Sequence, residues 1–339
     1  MKTARQKRKM KKNNTRKETR GGVKNKIQKN DKTIVTFKKH NHIKSIKNVN
    51  LKKINCSPKP KGEINDFSCY TNKSLYKLRD LWNARHPDVK ITSNSPKEIH
   101  RFITEKLSGV CNKESCWLKQ KAEFGPLQSD MADSFAPESP AEWKKNPNEW
   151  LSSIDIMNVM KQYEKAYKCF DFIGPTPIDF DTRKLYGECV WDELCNFSLE
   201  DQIKNGKTKI GIIFNTDPHN KPGQHWIALF LDLTKKFIFF FDSNGTKTPK
   251  QIKVLIDRIV NQAHNLNIKL IADNNEGFTH QFSDGQCGMY SLYFIIELLQ
   301  ENKTYNYFKT TRIKDETMRE YRKKYYNEAH IKLNSLFND

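Results

Sequence analysis

Four side chains in the C-terminal half of this 339-residue sequence could together run nucleophilic acyl chemistry. A histidine opens a strand-like run, Gly223-Gln224-His225-Trp226, and Asp242-Ser243-Asn244 follows about two strand lengths later. Cys287 stands where a glycine-bearing turn, Ser283-Asp284-Gly285-Gln286, enters an apolar run that continues to Leu299. A thiol at a helix start feels the positive dipole end and unpaired backbone N–H groups, which lower its pKa and raise its thiolate fraction. Flanking Gly285 and Gly288 let other backbone come close. Gln281 offers a side-chain N–H to a developing oxyanion, alongside the backbone N–H of Cys287.

Whether the histidine meets an acid depends on strand register. Ile227–Leu233 and Phe237–Asp242 flank Thr234-Lys235-Lys236. A hairpin centred there sets position 225 opposite 244 and 227 opposite 242, all four on one face. Asp242 and Asn244 then both reach the His225 ring, and an acceptor there fixes the tautomer and stabilises the charged imidazole. Each feature alone has a plainer reading. A cysteine at a buried helix start packs, a histidine before a tryptophan is structural, and Asp-Ser-Asn-Gly is a turn. Their joint order and spacing point instead to nucleophile, base, orienter and oxyanion donor.

The elements that must position these groups are legible around them. A helix opens at Trp150-Leu151-Ser152-Ser153 and runs to about Tyr167. Strand-like runs cover Ile210–Phe214, Trp226–Leu233 and Phe237–Phe241; an amphipathic helix covers Pro249–His264, a strand Ile268–Ala272, and an apolar helix Cys287–Leu299. Helix, three strands, helix, strand, helix is an α+β domain, expected over 149–339. Upstream, residues 62–125 read as a helical module. Leu75, Leu78, Leu81 and Trp82 recur at helix spacing, and Ser95-Pro96-Lys97-Glu98 predicts a capping box with proline at the first helical position. The proline-punctuated stretch 126–148 is a connector.

Charge is unevenly spread. The chain carries 60 Lys+Arg and 39 Asp+Glu, a net of +21, and residues 1–60 hold 21 of those cations against only Glu18 and Asp31. Residues 1–61 are expected to be a disordered cationic tail, able to bind phosphates by counterion release without reading sequence. No run of about 20 apolar residues exists, which excludes a membrane-spanning helix, and the charged N-terminus predicts no secretory signal. The eight cysteines are accordingly expected to be free thiols in a reducing compartment, with Cys111 and Cys116 as packing residues and no structural zinc.

His225-Trp226, Asp242-Ser243 and Gln281-x5-Cys287-Gly288 together resemble the adenain/SUMO-protease superfamily of cysteine proteases, and Trp150-Leu151-Ser152-Ser153 lies where that group carries Trp-Leu-Asn-Asp. The likeness is greater to the polyprotein-processing protease of African swine fever virus and its relatives in large DNA viruses. It rests on Gly174-Pro175-Thr176-Pro177-Ile178-Asp179-Phe180, Phe214-Asn215-Thr216-Asp217 and Cys111-Asn112-Lys113-Glu114-Ser115-Cys116. The resemblance implies a cysteine-protease fold with a central mixed sheet flanked by helices. It implies Cys287 as nucleophile, His225 as general base, Asp242 as its orienting partner and Gln281 in the oxyanion hole. Trp150 and Trp226 would wall a channel too narrow for a Cβ, so that specificity comes from excluding side chains. Ser153 replaces the second acid of the Trp-Leu-Asn-Asp motif, and Gln286 precedes the nucleophile where SUMO proteases commonly have Asp.

The implied function is a cysteine endopeptidase, needing no cofactor, that cleaves after Gly-Gly-Xaa in viral structural proteins in the virion and host cytoplasm. Its partners would be protein substrates with Gly-Gly-type sites and, through the tail, non-specific nucleic acid, but no membrane. Arg20-Gly21-Gly22-Val23, the chain's only Gly-Gly pair, would suit self-trimming. The rival readings are a SUMO or ubiquitin-like deconjugating protease and a non-enzymatic nucleic-acid-binding protein.

Overall fold

The computed structural model describes residues 51–60, 62–125 and 129–328, so residues 1–50, with Gly21 and Gly22, lie outside it. Five strands form one mixed sheet in sequence order: β1 Phe170–Pro177, β2 Lys209–Asn215, β3 Trp226–Asp232, β4 Phe237–Phe241 and β5 Ile271–Asn274. The β2–β3–β4 meander is antiparallel, and parallel strands β1 and β5 close its two edges. Among the described residues, six helices have eight or more residues. They are α1 Asn72–Arg85, α2 Pro96–Leu107, α3 Ser153–Ala166, α4 Lys250–Asn265, α5 Cys287–Leu299 and α6 Asp315–Tyr325.

Strand alternation sorts the sheet into two apolar layers. Trp226, Ala228 and Phe230 of β3, with Phe237, Phe239 and Phe241 of β4, face a core shared with α3, α5 and α6. Ile227, Leu229 and Leu231, with Ile238 and Phe240, face the apolar stripe of α4, Ile252-Leu255-Ile256-Ile259. All 13 residues of α5 are buried, which is why its sequence is apolar all round. That helix therefore has little freedom to shift, and its first residue is Cys287. A third core gathers Tyr70, Leu75, Leu78, Trp82, Ile99, Ile103 and Trp117 from α1, α2 and the turn after them.

Several expectations need correction. β1 escaped the sequence reading because Gly174-Pro175-Thr176-Pro177 spells a turn. As an edge strand it needs fewer backbone donors, so proline is tolerated. β5 starts at Ile271, not Ile268, because the N–H of Ile268 is used to close α4 by donating to the Ala263 carbonyl at 2.8 Å, with Asn267 in the left-handed region at φ 59°. Helix α6 was missed because it buries only Asp315, Met318, Arg322 and Tyr325. Ser95 makes no side-chain cap to α2; the Ser93 hydroxyl holds Glu98 instead. The capping box belongs to Ser152 and Asp155 at the start of α3.

The cysteine expectation is overturned as well. Cys56–Cys69, Cys111–Cys116 and Cys189–Cys195 are disulfide-bonded, leaving Cys169 and Cys287 free. Spacing could not reveal Cys56–Cys69, since that bridge joins a segment read as tail to the helical module. Residues 51–60 are accordingly built into the structure: Leu51 and Ile54 pack on the third core, and Asn55 donates its amide to the carbonyls of Lys323 and Tyr326 at the end of α6.

Candidate active site

The β3–β4 hairpin delivers the histidine and its acid. Ala228 pairs with Phe241 across the ladder, and continuing that register sets 227 opposite 242 and 225 opposite 244, as the turn position required. Position 225 lies one residue before the paired strand begins, so its side chain escapes the packed core that claims Trp226. His225 Nε2 lies 2.6 Å from Asp242 Oδ1, whereas the Asn244 Nδ2 lies 3.4 Å from the same ring nitrogen. The geometry thus separates the two candidates: Asp242 holds the ring, and Asn244 sits at its rim. Nε2 is engaged by Asp242, which leaves Nδ1 free of that bond.

Asp242 is 1% exposed and its carboxylate is fully partnered. The backbone N–H of Asn244 donates to Oδ1 at 2.9 Å, and the N–H and hydroxyl of Thr246 both donate to Oδ2. Its backbone is fixed too. The Asp242 N–H donates to Asn275 Oδ1 at 3.0 Å, and Asn275 Nδ2 donates to the Asp242 carbonyl at 2.7 Å. Burial pushes this carboxyl up, but the His225 hydrogen bond and charge, the Thr246 hydroxyl and the Asn244 amide outweigh it, and the group lies below the usual carboxylate range. His225 shows the complement. Burial pulls its imidazole down, yet the Asp242 hydrogen bond, the Cys287 side chain and the Asp242 charge raise it to about 9. At neutral pH the ring holds its proton between a carboxylate and a sulfur.

Cys287 is 2% exposed and is the first residue of α5. The turn before it needs glycine at 285: φ is +81°, and a Cβ there would lie 2.0 Å from the Asn148 carbonyl oxygen. A Cβ at Gly288 would lie 3.1 Å from Leu151 Cβ and 3.2 Å from Trp226 Cδ1. The Trp150–Leu151 segment is drawn to the same place by the indole N–H of Trp226, which donates to the Leu151 carbonyl at 2.9 Å. Trp150 is 43% exposed, and both tryptophans line a cavity of about 570 Å³ together with Pro175, Asn215, Asp217 and Trp191.

Gln281 is anchored beside the acid. Its Oε1 accepts from the Ser243 hydroxyl at 2.8 Å and its Nε2 donates to the Ser283 carbonyl at 2.8 Å. Its backbone N–H, with that of His280, donates to the Ser243 carbonyl, so the Asp242-Ser243 corner and the approach to Cys287 are stitched together. Sequence reasoning missed Thr246, Asn275 and Asn148. Thr246 is detectable as the hydroxyl four residues after an acid in a turn, but nothing local marks Asn275 or Asn148, which reach the site by tertiary folding alone. Among the described residues no cluster of three or more metal-ligating side chains occurs. A thiol, a charged imidazole and a buried carboxylate in line can form a thiolate, attack a carbonyl and return a proton to a leaving amine.

Comparison with known proteins agrees with that chemistry. The chain is 31% identical over 239 residues to a putative thiol protease of Acanthamoeba polyphaga mimivirus, covering 69% of this chain and 76% of the relative. It is 27% identical over 252 residues to a cysteine protease of African swine fever virus, covering 69% and 90%. The crystal structure of the African swine fever virus protease superposes with a TM-score of 0.59 at 22% identity, over 81% of this chain and 96% of that one, and so shares the fold. Residues 160–334 match the Ulp1 protease family, C-terminal catalytic domain. The chain belongs to the Ulp1 protease family and is a cysteine protease.

Proposed function

We propose that this protease is an endopeptidase that cleaves after small residues in Gly-Gly-Xaa-type sites and processes viral structural proteins as virions mature. The observation carrying the reading is the packing of two tryptophans on the glycines either side of Cys287: a Cβ at Gly285 would lie 3.4 Å from Trp150 Cδ1, and one at Gly288 3.2 Å from Trp226 Cδ1. A substrate residue without a side chain suits such walls. In the reaction, the Cys287 proton rests on the charged His225 ring, and the thiolate attacks the carbonyl carbon of the scissile bond. The Cys287 backbone N–H and the second amide hydrogen of Gln281 hold the oxyanion. Collapse breaks the C–N bond, the amine leaves with the proton from His225, and water activated by His225 hydrolyses the thioester. Asp242 keeps the ring oriented throughout.

The cationic residues 1–50 would retain the enzyme on nucleic acid at the viral assembly site, in the host cytoplasm and then the virion. The test is cleavage of short Gly-Gly-Ala peptides beside full-length ubiquitin-like proteins ending in Gly-Gly, with Cys287→Ala as control. Turnover of the peptides alone supports processing of polyproteins. Turnover of the folded modifiers alone replaces that reading with deconjugation.

A further inference from the structure

Helix α6 contributes a buried cation to the back of the nucleophile turn. Arg322 is 4% exposed, and its three guanidinium nitrogens donate to three different acceptors. Nε reaches Gln286 Oε1 at 3.0 Å, Nη2 the Gly285 carbonyl at 2.6 Å and Nη1 the Glu149 carbonyl at 2.8 Å. Gln286, itself completely buried, passes the connection on by donating Nε2 to Asn148 Oδ1 at 3.0 Å. The Trp143 ring covers the guanidinium at 4.3 Å. One planar group thus ties the two residues before Cys287 to the backbone leading into Trp150. From this geometry we infer that Arg322 is a positioning residue for the protease, whose forked hydrogen bonds set the nucleophile and the tryptophan wall in register with each other.

A burial this complete is costly for a cation unless its donors are matched. Burial lowers the Arg322 guanidinium to about 10, partly offset by Tyr326, the negative charge of Cys287 and Glu149, with Arg319 opposing them. The role needs arginine rather than charge alone: an ammonium is a compact point charge, without the planar fork that reaches three separate acceptors from three nitrogens. It also gives a physical role to Gln286, whose side chain accepts from Arg322 while donating to Asn148.

The inference rests on Cys287 being the nucleophile, and its test separates the two claims. In wild-type full-length protein, iodoacetamide labelling of Cys287, followed by peptide mass spectrometry, should abolish cleavage of a Gly-Gly-Ala peptide. Activity that survives full labelling of Cys287 overturns the nucleophile and the inference with it. The second arm compares wild type with Arg322→Lys and Gln286→Met at a temperature where thermal melts show each folded; Gln286→Met serves if the lysine variant does not fold. The readout is the alkylation rate constant of Cys287 divided by that of Cys169, the other free thiol, which a loss of folded protein would not lower selectively. We expect that ratio to fall about tenfold and kcat to fall about ten- to a hundredfold, the scale of a small misplacement of reacting groups. A ratio and a kcat within threefold of wild type in a folded Arg322→Lys protein would show that charge suffices and refute the fork.

Discussion

Replacing Asp242 by Asn removes one charge from a fully partnered carboxylate and leaves a side chain of the same shape. The His225 imidazole is held at about 9 against an ordinary 6.5, which corresponds to roughly 3 kcal/mol in favour of the charged ring. That shift is net of burial, which opposes it, and is supplied by Asp242 together with Cys287, so losing the acid returns the ring to its ordinary value or below. At pH 8 a group at about 9 is roughly nine-tenths protonated, and one at about 6.5 only about 3% protonated. For a ring returned to about 6.5, the loss of imidazolium is about thirtyfold at pH 8, against less than about twofold at pH 6. The expected result is a kcat/KM deficit in Asp242→Asn that widens with pH, the alkaline limb moving down from about 9. Stability follows the same signs. The raised His225 contributes stability fully present below about pH 6.5 and lost as pH rises through about 9; the lowered Asp242 contributes stability present above its unfolded value of 3.8 and lost as pH falls through its folded value. A deficit equal at pH 6 and 8, or full activity beside a dead Asn244→Ala, would refute the assignment of Asp242 as the group that charges and orients the ring.

Gly285→Ala places a Cβ 2.0 Å from a backbone oxygen at a φ of +81°, so kcat/KM should drop more than tenfold with a lowered melting temperature; wild-type behaviour would mean the turn is not held as described. Asn275→Leu strips both backbone partners from buried Asp242 and should cost about 2–3 kcal/mol in chemical denaturation. An unchanged denaturation midpoint would show that water replaces the amide. Full-length protein should retard duplex DNA at low salt, and a chain lacking residues 1–48 should not, since most of the net charge lies there; equal retardation by both would detach the tail from any nucleic-acid role.

Much of the candidate trio was present in the linear pattern because hairpins and helix starts are local. The length of the β3–β4 turn fixes which residues oppose each other, and a period-two side-chain rule then brings His225 to Asp242 without knowledge of any other element. Likewise the apolar run Cys287–Leu299 predicts a buried helix whose first residue is a thiol at a positive dipole end. The choice between Asp242 and Asn244, 2.6 Å against 3.4 Å from one ring nitrogen, was beyond the sequence, because both lie on one face and only packing sets the side-chain torsions. So was everything that arrives from afar. Arg322 and Asn275 sit in polar surroundings that carry no motif, Cys56 meets Cys69 across a supposed boundary, and the proline-rich β1 reads as a turn until β2 lies beside it. Local chemistry is written in spacing. The groups that hold it rigid are satisfied by partners tens or hundreds of residues away, and only the folded chain decides which ones meet.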